Sequence, residues 1–286
     1  MIPRSAPSWQ PSWKQALATA FRDPAELLAY LDLDPALLPA AQAAAQTFGL
    51  CVPRSFAARM QRQNPNDPLL LQVLPLAAEL VATPGFNLDP VGDLAATELP
   101  GVLHKYAQRA LVIGTGACAV HCRYCFRRHY PYAANPWSGA QALVWRDWLR
   151  AHPEITEIIL SGGDPLLLPD SKLTELTTLL TDFPQVTTLR IHSRVPIVLP
   201  ERLDAGLLAW LARVPQQVVL VVHANHAQEL DAKVAAALAP WREYKVTLLN
   251  QSVLLRDVND RAETLVNLSR RLFTCGILPY YLHQLD

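Results

Sequence analysis

The sequence lacks both an excess of charge and a long apolar segment. Its 286 residues carry 25 basic and 25 acidic side chains, a balance that argues against a nucleic-acid-binding surface and against a polybasic membrane tag. No stretch approaches ~18 apolar residues without a charge or a proline, so we expect no membrane span. The N-terminus contains Pro3, Pro7 and Pro11 and no continuous apolar segment, which is untypical of a signal peptide. We therefore expect a cytoplasmic enzyme with a small-molecule substrate.

Cysteine is also scarce, and most of it lies in one place. The sequence has 5 cysteines, three of them in the segment Cys118-Ala-Val-His-Cys122-Arg-Tyr-Cys125, directly after an apolar run. Cys51 and Cys275 lie far from this segment in apolar surroundings, and we expect both to be thiols of the core. This distribution suits a reducing compartment and a metal site better than a framework of disulfides.

The CxxxCxxC spacing of the three clustered cysteines predicts a four-iron cluster with one open iron. Three thiolates from one loop can hold three irons, and because four cysteines usually bind such a cluster, the missing fourth leaves one iron for a small molecule. The pattern resembles the signature of radical S-adenosylmethionine (SAM) enzymes, in which the open iron binds SAM and an electron from the cluster cleaves SAM to a 5′-deoxyadenosyl radical. The alternative is a zinc loop, with His121 or His129 as the fourth ligand. Zinc knuckles, however, usually pair a CxxC with a second, distant pair of cysteines, and the sequence has no such pair.

Strands and helices alternate in the second part of the chain. From Arg109 onward, β-branched apolar runs are separated by amphipathic helical patterns. The predicted strands cover residues 110–114, 157–161, 187–192, 217–223, 245–250 and 277–282. Parallel strands joined by right-handed helical crossovers form either a doubly wound sheet or a barrel, and the regular spacing favours curling. We therefore predict an α/β fold, a partial (β/α)6 barrel of the TIM type with the radical SAM signature, over residues 104–286.

Residues 1–103 have a different texture, because prolines repeatedly break their helical patterns. The predicted helices cover residues 14–21, 24–33, 35–47 and 55–63. We expect an N-terminal helical region that caps the barrel.

Polar side chains follow the predicted strands at the points where the strands end. Because the carboxyl ends of parallel strands share one rim, we expect these side chains to lie beside the cysteine loop. The candidates for binding SAM are Tyr124, Ser161, Gly162, Gly163, Asp164, Ser193, Arg194 and His223. An arginine suits a carboxylate, and glycines allow a backbone to approach a ligand closely. The alternatives are a tight turn at the glycines, a strand-end ion pair for the arginine and a structural role for the histidine.

The chain ends directly after the last predicted strand, with no helix to cover it. A bare parallel edge strand exposes backbone groups and one apolar face, which natural domains usually avoid. We therefore expect that a C-terminal segment has been lost.

A series of motifs in fixed order carries a family resemblance. The motifs are HKYAQRALVIGTGACAVHCRYCFRRHYPY, LSGGDPL, RIHSRVPIVLPERL, VVHANHAQEL, LLNQSVLLRDVND and PYYLHQLD. From about Leu103 to Asp286 the sequence resembles the lysine 2,3-aminomutase family of radical SAM enzymes, and most of all the branch that makes (R)-β-lysine for the modification of elongation factor P. The resemblance implies an isomerase that converts L-lysine to β-lysine with a [4Fe-4S] cluster, SAM and pyridoxal 5′-phosphate (PLP), and with a reductant such as flavodoxin or ferredoxin.

The resemblance also implies roles for particular residues. The cluster would be held by Cys118, Cys122 and Cys125, and PLP by Lys105, Tyr106 and Arg109. The family usually has arginine where Lys105 stands, but the point charge of a lysine also binds phosphate. Arg127 matches the arginine that binds the α-carboxylate of the substrate, and Asp286 matches a carboxylate that binds its ε-ammonium.

The Schiff-base lysine of the family lies in a glycine-rich C-terminal motif that this sequence lacks, so we assign no catalytic residue. None of the lysines present lies in a glycine-rich setting: Lys14, Lys105, Lys172, Lys233 and Lys245. Two alternatives therefore stay open. One is a radical SAM enzyme of another reaction, without PLP, and the other is a truncated, non-catalytic iron-sulfur or zinc protein that binds a partner.

Overall fold

The computed structural model describes residues 12–134 and 139–284, and one eight-stranded sheet runs through the second part of the chain. Its strands are β1 (Thr97–Leu99), β2 (Val102–Tyr106), β3 (Arg109–Thr115), β4 (Glu157–Gly162), β5 (Thr188–Ser193), β6 (Gln217–His223), β7 (Thr247–Val253) and β8 (Leu278–His283). The strands lie side by side in chain order. The pairings from β1 to β3 are antiparallel, and those from β3 to β8 are parallel. The six parallel strands are those that the sequence predicts.

Helices connect the parallel strands, as parallel pairing requires. The α-helices are α1 (Trp13–Ala18), α2 (Pro24–Leu31), α3 (Leu38–Ala45), α4 (Arg54–Ala57), α5 (Gly139–Ala151), α6 (Asp170–Leu180), α7 (Val195–Val198), α8 (Ala205–Leu211), α9 (Ala232–Glu243) and α10 (Ala262–Thr274). In the described residues β1 and β8 do not pair, so the sheet stays open. The predicted α/β fold, a partial (β/α)6 barrel, is confirmed. Among the described helices, none has the length and apolar character needed to cross a membrane.

The core lies between the sheet and the helices around it. Residues 218–222 of β6 are buried without interruption, as expected for a central parallel strand covered on both faces. Trp210 of α8 and Trp241 of α9 are almost fully buried against this layer. The apolar runs of the sequence therefore become central strands, and they fix the rim on which the functional side chains lie.

The N-terminal part differs from the expectation of a wholly helical region, because β1 and β2 form an antiparallel hairpin there. Pro100 and Gly101 make the turn, and Gly101 has a φ of +79°, which favours glycine. A Pro-Gly pair is typical of a turn that needs this conformation at its second central residue, and that signal identifies the hairpin. The division after residue 103 falls inside β2, and as a domain boundary it stays a prediction.

The outer strand β8 is exposed, as the sequence predicts for an uncovered edge. Leu278, Tyr280 and Leu282 are 49%, 51% and 54% exposed. Along one edge, β8 pairs with β7.

Asn259 joins the ends of β6 and β7, and its removal tests how much the rim depends on that junction. Its amide nitrogen donates to the backbone oxygens of Asn225 and Val253 at 3.0 and 2.9 Å, and its oxygen accepts from the nitrogen of Leu255 at 2.7 Å. Because Asn259→Ala leaves three buried backbone groups without partners, we expect a loss of roughly 3 kcal/mol in the free energy of unfolding, measured in urea. The control is Asn267→Ala on the exposed side of α10, which should change stability little. Equal free energies of unfolding for Asn259→Ala and Asn267→Ala would show that the rim does not depend on this junction.

Candidate active site

The loop after β3 carries the three clustered cysteines, and the N-terminal region anchors it. The backbone nitrogens of His121 and Arg123 donate to the oxygens of Cys51 and Gln72 at 3.0 and 2.9 Å. The thiols of Cys118, Cys122 and Cys125 are partly buried and form no disulfide. The sequence therefore places the three thiols on one loop, and the N-terminal region provides one wall of the site.

A carboxylate from the N-terminal region clamps this loop through two arginines. The side chain of Glu79 accepts from Arg123 Nε at 2.6 Å and from Arg128 Nη2 at 2.8 Å. The same Arg128 nitrogen also donates to the backbone oxygen of Arg123 at 2.9 Å. Arg123 directly follows Cys122, and the two arginines flank Cys125, so the clamp fixes the backbone of the loop at these two cysteines.

The thiols of Cys118 and Cys125 hold their protons more tightly than free cysteines do. Burial raises the pKa of Cys118 well above its usual value, and the neighbouring acidic groups raise it further. Burial also raises the pKa of Cys125 to about 11. A metal ligand must be a thiolate, so a metal that binds here must displace these protons.

The carboxylate of Asp164 joins β4 to the end of β5. It accepts from Ser193 Oγ at 2.7 Å, from the backbone nitrogens of Arg194 and Val195 at 2.7 and 3.0 Å, and from that of Leu166 at 3.1 Å. Burial raises the pKa of Asp164 to about 6, and these hydrogen bonds oppose the rise. Three of the four donors belong to Ser193, Arg194 and Val195, so this carboxylate orients the turn at the end of β5.

The glycine pair before Asp164 brings the β4 turn against the cysteine loop. The nitrogens of Gly163 and Asp164 donate to the oxygens of Thr115 and Ala117, both at 2.7 Å. A Cβ atom at Gly163 would lie 2.4 Å from the Ala117 oxygen, which no side chain tolerates. The space expected to admit a ligand at this position is therefore occupied by the backbone of the cysteine loop, and SAM binding by the pair stays a prediction.

Arg194 brings a buried positive charge to the cysteines. Its Nη1 atom lies 2.8 Å from Cys122 Sγ, and its Nη2 atom donates to Gln72 Oε1 at 2.6 Å and to Glu229 Oε2 at 3.1 Å. Burial lowers the pKa of Arg194, but the charges of Cys122, Tyr124 and Glu229 outweigh it and raise the pKa above its usual value. A permanent positive charge therefore stands beside the sulfur atom of Cys122.

The side chains of Tyr124 and His223 contact each other close to Arg194. The Tyr124 hydroxyl accepts from Asn225 Nδ2 at 2.7 Å and lies 3.3 Å from His223 Nε2. Burial lowers the pKa of His223 well below its usual value, so its ring is neutral. Gln72 and Glu229 lie outside the predicted set of site residues, and Gln72 belongs to no motif.

Arg127 and Lys105 share one buried carboxylate, that of Asp93, which lies outside the predicted site residues. Arg127 Nε donates to Asp93 Oδ2 at 2.7 Å, and Arg127 Nη1 donates to Ser161 Oγ at 2.9 Å. Lys105 Nζ donates to Asp93 Oδ1 at 2.5 Å and to the backbone oxygen of Val91 at 2.6 Å. Two cations expected to bind anionic ligands are thus held together by an internal anion.

The remaining predicted residues lie elsewhere. The guanidinium of Arg109 stands 5.3 Å from the centre of the Tyr106 ring, and Tyr106 is 64% exposed. Arg109 begins β3 whereas the cysteines follow its other end, about 20 Å away at the rise of a strand. Asp286 lies outside the described residues.

Several proteins of known name are similar in sequence to this chain, although no family model matches it. It is 49% identical over 275 residues to the L-lysine 2,3-aminomutase of Escherichia coli K12. The aligned region covers 96% of this chain and 80% of that protein. The L-lysine 2,3-aminomutase of Haemophilus influenzae is 44% identical, with 96% and 81% of the two chains covered. The chain belongs to the L-lysine 2,3-aminomutase family. This family consists of isomerases, so the predicted family and the predicted class of enzyme are confirmed.

In this family member, the free energy of unfolding tests the pairing of Asp93 with Lys105 and Arg127. Asp93→Asn removes the charge and leaves Lys105 and Arg127 without their anion, so we expect a loss of roughly 3 kcal/mol at pH 7. Burial raises the pKa of Asp93, but Arg127 and Lys105 together bring it below its usual value. A depressed pKa contributes stability above the unfolded value of about 4, and that contribution is lost as pH falls through the folded pKa.

Urea unfolding at pH 7 and at about pH 3 measures the effect, and the difference between wild type and Asp93→Asn should shrink at the lower pH. Asp147→Asn is the matched control, since Asp147 is 75% exposed and pairs with Arg150 on the surface. A difference that stays the same at both pH values would show that charge is not the cause.

Proposed function

We propose that this protein is a radical SAM aminomutase that moves the α-amino group of L-lysine to C3 and so forms β-lysine. The observation that carries the proposal is the set of three partly buried thiols, free of disulfides, on one rim loop, with the guanidinium of Arg194 2.8 Å from Cys122 Sγ. Membership of a family of aminomutases supports the same reaction.

The arrangement of the cysteines favours a cluster over a single zinc ion. Thiolates on one tetrahedral zinc lie about 3.8 Å apart, because each Zn–S bond is about 2.3 Å. The three cysteine sulfur atoms do not all lie within 4.8 Å of one another. His121, a candidate fourth ligand, contacts the Gly49 oxygen through Nδ1 and stacks on Phe48. Thiols that bind separate irons need no such close approach, so the residues fit a four-iron cluster.

The chain's own residues would hold the cofactors as follows. Cys118, Cys122 and Cys125 would bind the cluster, and Arg194 would balance its negative charge. SAM would bind beside the cysteine loop at the carboxyl ends of the strands, in contact with side chains that include Tyr124, Ser193, Arg194 and His223. Lys105, Tyr106 and Arg109 would bind PLP. When bound, the cluster and SAM supply the radical chemistry, and PLP carries the amino group.

Arg127 would bind the α-carboxylate of lysine. Its side chain is almost buried, and Asp93 and Ser161 already orient it through Nε and Nη1. An oriented guanidinium loses little freedom on binding a carboxylate. Asp286 would bind the ε-ammonium at the other end, so that opposite charges select a long diamino acid.

The place of the reaction in the cell is a further part of the proposal. The segment Phe126-Arg-Arg-His-Tyr-Pro-Tyr132 resembles the branch that supplies (R)-β-lysine for elongation factor P. We infer the same role here, in the cytoplasm, with flavodoxin or ferredoxin as electron donor.

Cluster binding should depend on the rim cysteines and not on cysteine in general. After anaerobic reconstitution we expect about four irons and four sulfides per chain in the wild type. Cys125→Ala should lose most of both, because one iron loses its thiolate. Cys275→Ala is the control, since Cys275 is a buried thiol of the core, and it should keep the wild-type content. One zinc per chain in place of iron would exclude the cluster.

Turnover tests the substrate. In protein extended by the glycine-rich C-terminal motif of the family, and supplied with SAM, PLP and dithionite, L-lysine labelled with ¹⁵N at the α-amino group should yield β-lysine with ¹⁵N on C3, as detected by NMR. Arg127→Gln should lower kcat/KM at least a hundredfold, or about 3 kcal/mol, because the carboxylate loses its cation. Arg213→Gln, at an exposed position two residues after the end of α8, is the control. Cleavage of SAM without movement of ¹⁵N would instead favour a radical SAM enzyme of another reaction.

A further inference from the structure

A second group of metal-ligating side chains lies away from the cysteine loop, where β1, β2 and the end of α5 meet. Glu98 of β1, His104 of β2 and His152 after α5 each offer one ligand atom, and these atoms all lie within 4.8 Å of one another. Glu98 Oε1 lies 3.0 Å from His104 Nδ1, and Glu98 Oε2 lies 3.8 Å from His152 Nε2. Neither the cluster nor the proposed substrate uses these three residues.

The hydrogen bonds of His152 fix which of its nitrogens carries the proton. His152 Nδ1 lies 2.8 Å from the backbone oxygen of Trp148. A carbonyl only accepts, so Nδ1 carries a hydrogen, and Nε2 is the nitrogen that can bind a metal. Nε2 faces the carboxylate of Glu98. A cation placed between these two groups would contact both of them.

The three ligand atoms are held in place before any ion arrives. Trp148 Nε1 donates to Glu98 Oε2 at 2.7 Å, and the Trp148 ring stacks on His152 with centroids 4.2 Å apart. Among the described residues, Glu98 is the one polar partner of the His104 ring, whose Nε2 atom is buried and neither donates nor accepts a hydrogen bond there. His152 also shows the second contact typical of metal-binding histidines, in which the other ring nitrogen donates to a backbone oxygen.

We propose that Glu98, His104 and His152 form a binding site for a divalent transition-metal ion, with zinc as the ion that fits best. Two imidazoles and one carboxylate are a known zinc donor set that leaves a fourth position for water. Ligand atoms on a tetrahedral zinc lie about 3.4 Å apart, and the three ligand atoms here all lie within 4.8 Å of one another. Imidazole nitrogens select such ions over magnesium and calcium. Glu98 is 41% exposed, so the ion can enter from solvent.

The ion would lock the hairpin that carries Lys105. His104 and Lys105 are neighbours on β2, and successive side chains of a strand point to opposite faces. A metal on the His104 face would tie β2 to β1 and α5, while Lys105 on the other face contacts Asp93. The site would thus stiffen the strand behind the proposed PLP-binding residues, but it does not depend on that proposal.

Zinc and cobalt(II) chloride are the probes. Protein whose cysteines have first been filled with iron and sulfide is given zinc, passed through a desalting column and analysed for metal. We expect about one zinc per chain in the wild type, and at least a tenfold weaker affinity in Glu98→Gln and in His152→Asn. Cobalt should give the weak visible bands of a nitrogen and oxygen site, without the intense near-ultraviolet band of cobalt bound to thiolate.

The controls separate binding from folding. Glu98→Gln keeps an acceptor for Trp148, so its unfolding in EDTA should match that of the wild type. Glu154→Gln changes an exposed carboxylate close to His152 and should keep the wild-type affinity. The proposal is overturned if the wild type retains no zinc, if both ligand variants bind zinc as the wild type does, or if cobalt shows the thiolate band.

Discussion

The buried carboxylate of Asp164 is the contact on which the rim depends. It accepts hydrogen bonds from the backbone of the β5 turn and from Ser193, while its own backbone nitrogen donates to the cysteine loop. One residue therefore sets the distance between the cysteine loop, β4 and β5. Because Arg194 follows Ser193 directly, the same contact brings its guanidinium to Cys122. Chemistry at the cysteines is thus tied to one buried anion.

Paired charges surround the site. Arg194 pairs with Glu229, Arg127 with Asp93, and the arginines beside the cysteines with Glu79. Leaving any of these buried cations unpaired is costly, so each anion keeps its partner oriented before a ligand binds. An anionic ligand enters a set of cations that are already fixed in direction, and its binding costs little further ordering. The N-terminal region supplies two of the anions, so it is part of the site as well as a cap.

The sequence predicts the sheet well because apolar β-branched runs form buried parallel strands regardless of their neighbours. It also predicts which loop carries the cysteines, since the carboxyl ends of those strands share a rim. It does not predict Gln72, Glu79 or Asp93, because each contacts the rim from a segment with little regular structure and no motif. The same limit applies to the glycine pair: its sequence demands close approach, but only the fold shows that the partner is the cysteine loop.

The measurement that tests the account most directly is electron-nuclear double resonance of the reduced, iron-loaded protein with SAM labelled with ¹⁵N at its amino group. If three cysteines leave one iron open at the rim, the label should show a strong hyperfine coupling that arises from direct coordination to the cluster. Binding of SAM without any coupling, in protein that contains four irons per chain, would contradict an open iron at Cys118, Cys122 and Cys125.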